Sequence, residues 1–249
     1  LIMYEPRWYR QNIGERFNSF TYRFMETDIW VAFDVFSKVS KDEVLRFVDN
    51  KCRSLRKLLE DYFLISPEFE HSLKPLKVPA IAPELIRKLA DGSVKTNVGP
   101  MAGIAGAFAE EIGKACKIEF GFKEIMIENG GDNYLDVLTD IYVKLYAGEH
   151  PLSNKVKLII EAKDSPLGLC ASSGKFGHSK SFGKADLVSV ACKNTILADQ
   201  YATAFANKIH ESNDINTVLL EASTIPEIIH IAIFMDDKFG VRGKLKLNN

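Results

Sequence analysis

Four stretches of the chain combine residue types that chemistry uses. The first is Glu128-Asn129-Gly130-Gly131-Asp132-Asn133-Tyr134, directly after the apolar run Ile125-Met126-Ile127. Asn-Gly between strand-like segments marks a tight hairpin, because both residues tolerate positive φ. Gly130 and Gly131 can also turn their N–H groups into an anion nest, and Asp132 could hold a ribose, a ring N–H or a metal-bound water. A plain turn with a solvated carboxylate explains the same letters. The second is Val98 to Ala109, with glycines at Gly99, Gly103 and Gly106. It matches neither the dinucleotide fingerprint nor a Walker loop. Small residues there would let a phosphate reach the amides of a helix start, or let a helix pack closely on a sheet.

The third stretch, 168–183, is rich in glycine, serine and lysine and includes Cys170, Ser172, Ser173, Gly174, Lys175, His178 and Lys180. Its hydroxyls and lysines suit phosphate oxygens. A loop this long in a compact domain is usually functional or mobile. No serine-hydrolase elbow is present. Cys170 has no evident activating base in the sequence, and His178 can titrate near neutral pH. In the fourth stretch, Asp199 and Thr203 stand at i and i+4, so their oxygens can share one side of a helix. Carboxylate plus hydroxyl is a reasonable part of a Mg²⁺ site, although an Asp beside a helix N-terminus is the simpler account.

These stretches need elements to hold them. Residues 16–25 and 29–36 read as adjacent strands around Glu26-Thr27-Asp28. Ser40 with Glu43 suggests a capping box. It would open an amphipathic helix whose inner face is Val44, Val48, Cys52, Leu55, Leu59 and Tyr62. Four prolines mark 66–83 as a connection and a candidate lobe boundary. Pro83 should open a short helix, 84–90, stopped by Asp91-Gly92. A helix over 101–116 follows, then a strand ending at Glu128. Further strands are expected at 141–146, 155–161 and 186–191, a helix over 195–210, and final strands at 228–234 and 243–247. Hairpins mixed with helices favour an α+β fold in one domain spanning 1–249, with the chemistry concentrated in 96–210.

Composition narrows the function. The 249 residues carry 32 basic and 33 acidic side chains, net −1, which argues against a general nucleic-acid binder. The four cysteines are too widely spaced for a zinc or redox motif and read as reduced, buried thiols. No apolar run is long enough for a membrane span. The opening residues lack the order of a secretion signal, so the cytoplasm is the expected compartment. Apolar C-terminal strands are compatible with a homodimer.

Taken in order, VGPMAGIAGAFAEEIG, IMIENGGDNYL, ASSGKFGHSKSFGKADLVSVA and LADQYATAFAN resemble the ApbE-type proteins, which are associated with flavin transfer. The chain looks closest to their short branch, with the resemblance running from Val98 to Asn207. It implies an α+β fold and a site for a phosphate-bearing nucleotide, FAD or FMN, with Mg²⁺. Proteins of this type break the FAD pyrophosphate and join FMN to a Thr or Ser hydroxyl of a target protein. By this match Asp199 and Thr203 would be metal ligands. Gly130, Gly131 and Asp132 would line the nucleotide pocket, with Glu128 and Asn129 beside them, and Ser172, Ser173 and Gly174 would border the ligand. Gly99 and Gly103 would allow phosphate to approach, and His178 and Asp132 are the candidate bases. The alternatives are a non-catalytic binding or assembly protein, and an enzyme acting on another phosphorylated metabolite.

Overall fold

The computed structural model describes residues 15–36, 38–175 and 181–248. Strands β1 (Phe17–Phe24) and β2 (Thr27–Asp34) form the expected antiparallel hairpin. Helix α1 (Lys41–Ile65) starts at Ser40, whose Oγ accepts the Glu43 N–H at 3.2 Å. The connection holds one short helix, α2 (Glu68–His71). Helix α3 (Glu84–Thr96) does not stop at Asp91-Gly92 as expected. Gly92 sits inside it because a Cβ there would lie 2.2 Å from Gln200 Oε1, so its bare backbone admits a neighbouring side chain.

A 3₁₀ turn, Pro100–Gly103, leads into α4 (Ile104–Phe120). Strands β3 (Ile125–Asn129), β4 (Asp132–Asp136), β5 (Ile141–Lys144), β6 (Lys157–Ile160), β7 (Leu167–Ser172) and β8 (Leu187–Cys192) follow. Then come α5 (Thr195–Ala206), α6 (Asp214–Ala222), β9 (Ile228–Met235), β10 (Lys238–Gly243) and β11 (Lys246–Asn248). The opening of the glycine-rich stretch is therefore strand β7, not loop. Neither α6 nor β10 was expected, and the terminal strand pairs as β11 at 246–248 instead of 243–247.

Among the described residues, eight strands make one sheet in the order β1-β2-β3-β4-β7-β8-β9-β10, all neighbours antiparallel. A second sheet has the order β11-β6-β5. The main sheet draws strands from both sides of the 66–83 connection, so that connection does not divide it. Strand alternation splits the core into layers. On one face Ile29, Val31, Phe33, Ile125, Ile127 and Tyr134 pack against α1, α3 and α4. Farther along that face Cys170, Val188, Val190, Ile231 and Ile233 pack against α5 and α6. The opposite face, with Trp30, Ala32, Met126, Leu169, Ala191 and Phe234, meets Leu158 and Ile160 of the small sheet. The arrangement is α+β with helices, large sheet and small sheet stacked in that order. Among the described residues no helix is long and apolar enough to cross a membrane.

Candidate functional site

The β3–β4 hairpin turns through Gly130 and Gly131, with φ of 71° and 104°. Two successive positive φ values give the backbone twist that suits a two-residue hairpin, and glycine adopts them without steric cost. Asn129 and Asp132 pair across the turn. Both share the helix face, since Ile127 and Tyr134 lie in the helix-side core. Asn129 uses it to donate from Nδ2 to the Ala105 carbonyl at 3.1 Å, tying the turn to the start of α4. Asp132 Oδ1 accepts the Ala171 N–H at 3.1 Å, bridging β4 to β7 beside Ser172.

Glu128 takes a different part. Alternation sends its side chain to the face shared with Met126, away from Asp132. There its Oε1 accepts the Gly131 N–H at 2.7 Å, so the turn closes on a carboxylate of its own strand. Replacing Glu128 by Ala should lower stability by about 1.5–3 kcal/mol, the usual loss when a hydrogen bond to a charged acceptor is removed. Gln keeps an acceptor and should restore most of it. Thermal unfolding of both variants checks this; equal losses would contradict it.

Asp199 lies one turn into α5, and its Oδ2 accepts the Gly106 N–H of α4 at 2.9 Å. In return, Glu110 of α4 accepts the Thr195 N–H at the start of α5 at 2.7 Å. Each helix therefore caps the other with a carboxylate, satisfying first-turn amides that have no partner inside their own helix. The close crossing depends on Gly106, where a Cβ would stand 2.7 Å from the Thr195 carbonyl oxygen and 3.0 Å from Asp199 Cβ. Burial and the nearby charge of Asp132 hold the Asp199 carboxyl well above the usual carboxylate range, against the pull of the Gly106 and Ala105 amides.

The structure thus brings Asp132 and Asp199 near one another on the buried helix side of the sheet, with Thr203 buried one helical turn beyond Asp199. Ser172 joins them at the end of β7, and its buried Oγ has no hydrogen-bond partner among the described residues. Two carboxylates whose charges oppose each other, with a hydroxyl one turn on, suit a hard cation, which would relieve the repulsion. Among the described residues no group of three or more His, Cys, Asp or Glu gathers to hold a metal, so such an ion would complete its shell with water or ligand oxygens.

The remaining candidates fall around this centre. Gly103 lies under Gln200 and Ile196, and Gly99 lies against the Ser72 backbone, so protein atoms fill the space beside both. The Ser173 hydroxyl accepts the Lys175 N–H, and the Gly174 N–H donates to Ala185. Lys175 forms an ion pair at 2.7 Å with Asp186, whose other oxygen accepts the Asp236 N–H. His178 lies outside the described residues. Cys170 is fully buried and its thiol is pushed up by burial and by the Asp132 and Asp199 charges, which removes it from nucleophilic work. Sequence reading missed Gln200, whose Nε2 donates to the Leu89 and Pro100 carbonyls and pins α5 to α3 and the 3₁₀ turn. A glutamine inside an apolar helix was the available signal. It also missed the Glu110 cap.

The family model described as AbpE bacteria matches residues 10–225. A UPF0280 protein of Methanocaldococcus jannaschii is 40% identical over 192 residues, 75% of this chain and 77% of that one. A UPF0280 protein of Methanococcus maripaludis strain C5 is 37% identical over 216 residues, 85% of this chain and 87% of that one. Among solved structures, the ApbE protein of Thermotoga maritima superposes with a TM-score of 0.58 at 11% identity, covering 92% of this chain and 97% of that one. The flavin transferase ApbE of Vibrio cholerae gives 0.53 at 13% identity, covering 91% and 96%. At these identities the structural likeness is one of fold.

Proposed function

Because this chain belongs to the family described as AbpE bacteria, we propose that its buried carboxylate pair serves a flavin nucleotide together with Mg²⁺. The activity we assign is transfer of FMN from FAD to a hydroxyl of a target protein. The observation that carries this reading is the convergence of Asp132 and Asp199 from separate elements beside the start of α4, with the Asp199 carboxyl raised first by burial and then by the charge of Asp132.

The cation would supply charge neutralisation on the pyrophosphate oxygens. The chain's own residues do the rest. Asp199 and Thr203, fixed one turn apart on α5, present oxygens to one side. Asp132, anchored by the Ala171 amide, holds its carboxylate toward them. Ser172 offers an unpartnered hydroxyl to a ligand oxygen. In the reaction the acceptor hydroxyl oxygen forms a bond to the flavin-side phosphorus. The bond from that phosphorus to the bridging oxygen breaks, AMP leaves, and the hydroxyl proton passes to a base. Asp132 and His178 are the groups assigned that last role. Burial strengthens each of these electrostatic contacts relative to water.

The test is binding followed by turnover. FAD with Mg²⁺ should raise the unfolding temperature, by the equivalent of about 2.7 kcal/mol at a ligand concentration of roughly 100 Kd. FAD without the cation should give much less. Incubation with a hydroxyl-bearing acceptor should then release AMP. No thermal shift and no retained flavin would sink the reading. Binding without AMP release on any acceptor would leave the protein a nucleotide-binding module.

A further inference from the structure

We propose that the layer between the two sheets holds a second binding site, one that takes a small uncharged molecule carrying a hydroxyl on an apolar ring. Its floor is a row of small side chains on the main sheet. Ala171 of β7 stands opposite Ser189 of β8, and Ser189 stands opposite Ala232 of β9. The flanking rows are bulkier, Leu187 opposite Phe234 on one side and Leu169, Ala191 and His230 in line on the other. Leu187, Ala191, Ala232 and Phe234 all lie in the core shared with the small sheet, so alternation aims Ser189 and His230 into that same layer. A β-bulge fixes His230 there: Ala191 pairs with His230 while Cys192 pairs with Ile228, and an irregularity of this kind re-aims a side chain. On the other side of His230, Gly243 lets β10 run close, since a Cβ there would stand 3.0 Å from the His230 Cβ.

The polar atoms in this layer point to a ligand. Ser189 and His230 are each 1% exposed, and among the described residues neither the Ser189 Oγ nor either ring nitrogen of His230 has a hydrogen-bond partner. Buried polar atoms left unpaired cost their full desolvation, and native structures pair nearly all of them. The two residues are diagonal neighbours across β8 and β9, so one oxygen can bridge them. Burial alone pushes the imidazole down to about 4, and at neutral pH the ring is uncharged, with one N–H to donate and one nitrogen to accept. A hydroxyl answers either nitrogen and the serine, because it both donates and accepts. A charged ligand would forfeit its hydration beside Leu169, Ala191 and Phe234, which offer no opposite charge. The floor spans three strands, about 10 Å across, under a sheet packed about 10 Å away, which suits one six-membered ring. A water molecule would pair the polar atoms but leave the space over Ala171 and Ala232 unfilled, and close-packed interiors avoid such voids. The site lies across the main sheet from Asp132 and Asp199, so the proposal is independent of the flavin reading.

The experiment uses the full chain and two probes that differ only by the hydroxyl, para-fluorophenol and fluorobenzene, titrated by fluorine NMR. The phenol should bind about tenfold more tightly, the gain from one buried, hydrogen-bonded hydroxyl. Ser189→Ala and His230→Phe should each remove most of that difference. Because the difference is a ratio within one protein, it survives a loss of stability, and unfolding temperatures confirm that the variants fold. In protein carrying isotope-labelled histidine, the ring-nitrogen signals of His230 should move when the phenol binds. Those signals are assigned by their absence in His230→Phe or, if that variant does not fold, in His230→Gln. FAD with Mg²⁺ should not displace the phenol, which separates this site from the one proposed for flavin. A chain that fails to bind FAD leaves the test intact, since the His230 signals locate the probe by themselves. The proposal is overturned if the phenol does not bind up to its solubility limit, if both probes bind equally, if the His230 signals stay put, or if FAD with Mg²⁺ displaces the probe.

Discussion

Asp199→Asn is expected to abolish Mg²⁺-dependent stabilisation while leaving the cation-free protein at least as stable as the wild type at neutral pH. The two effects have one origin. The Asp199 carboxyl is buried, faces the charge of Asp132, and has its pKa raised. In the cation-free protein it resists ionising where the unfolded chain ionises freely. The sign follows from linkage. Below the unfolded value of 3.8 the group is protonated in both states and contributes nothing. As pH rises from there toward the folded value, the unfolded state loses its proton first and stability falls. Asparagine cannot ionise, and its Oδ1 can still accept the Gly106 N–H, so the variant escapes that penalty. Its advantage should therefore widen as pH rises. The cation affinity should drop by at least the roughly 10–100-fold that loss of an outer-shell partner costs at a metal site. Unfolding temperatures across pH, with and without Mg²⁺, read both effects. A variant destabilised at every pH would show that Asp199 serves only as a helix cap.

The second large effect is expected at Gly168, in β7. A Cβ there would lie 2.5 Å from Thr195 Cα and 2.8 Å from Thr195 Cβ, closer than packed atoms approach. Thr195 is the first residue of α5, so Gly168→Ala must lift the helix that carries Asp199 and Thr203 off the sheet. Overpacking of this kind costs roughly 1–3 kcal/mol. In a chain of this size that corresponds to a fall in unfolding temperature of roughly 2–12 °C. Cation affinity should fall with it. Gly121→Ala is the contrast: nothing lies within 4 Å of its Cβ, and the cost comes from its φ of 68° alone. That is about 1–2 kcal/mol, with the cation response intact. Equal loss of cation binding in both variants would break the link between the β7–α5 contact and the site.

How much of this was legible in the sequence depended on the range of the cause. Ser40 and Glu43 are three residues apart, and the start of α1 was read correctly because capping is local. The Asn129-Gly130-Gly131-Asp132 reversal was legible for the same reason. Gly92 and Gly168 misled in the same way. Each was read as a breaker or loop former, yet each lies inside a regular element because a partner more than 25 positions away occupies its missing Cβ. Thr195 and Gln200 cannot be assigned that role from Gly168 and Gly92 alone. Helix α6, nine residues long, and β10 with two glycines among its six residues carry weak periodicity and were passed over. At the site, Asp132, Asp199 and Thr203 were nominated by type, spacing and resemblance. What the letters withheld was the face each side chain uses. Glu128 and Asp132, four positions apart, would share a side on a single strand, but the two-residue turn between them places them on opposite sides of the sheet.

The exchange of carboxylate caps between α4 and α5 also makes the centre observable from the backbone. The amide proton of Gly106 rests on the Asp199 oxygen. Its NMR frequency should therefore move when Asp199 loses its proton or takes a cation, while the Thr195 amide, held by Glu110, reads the reciprocal cap at the same crossing. One glycine resonance in a labelled sample would then report the charge state of a buried carboxylate without any substrate, product or engineered probe.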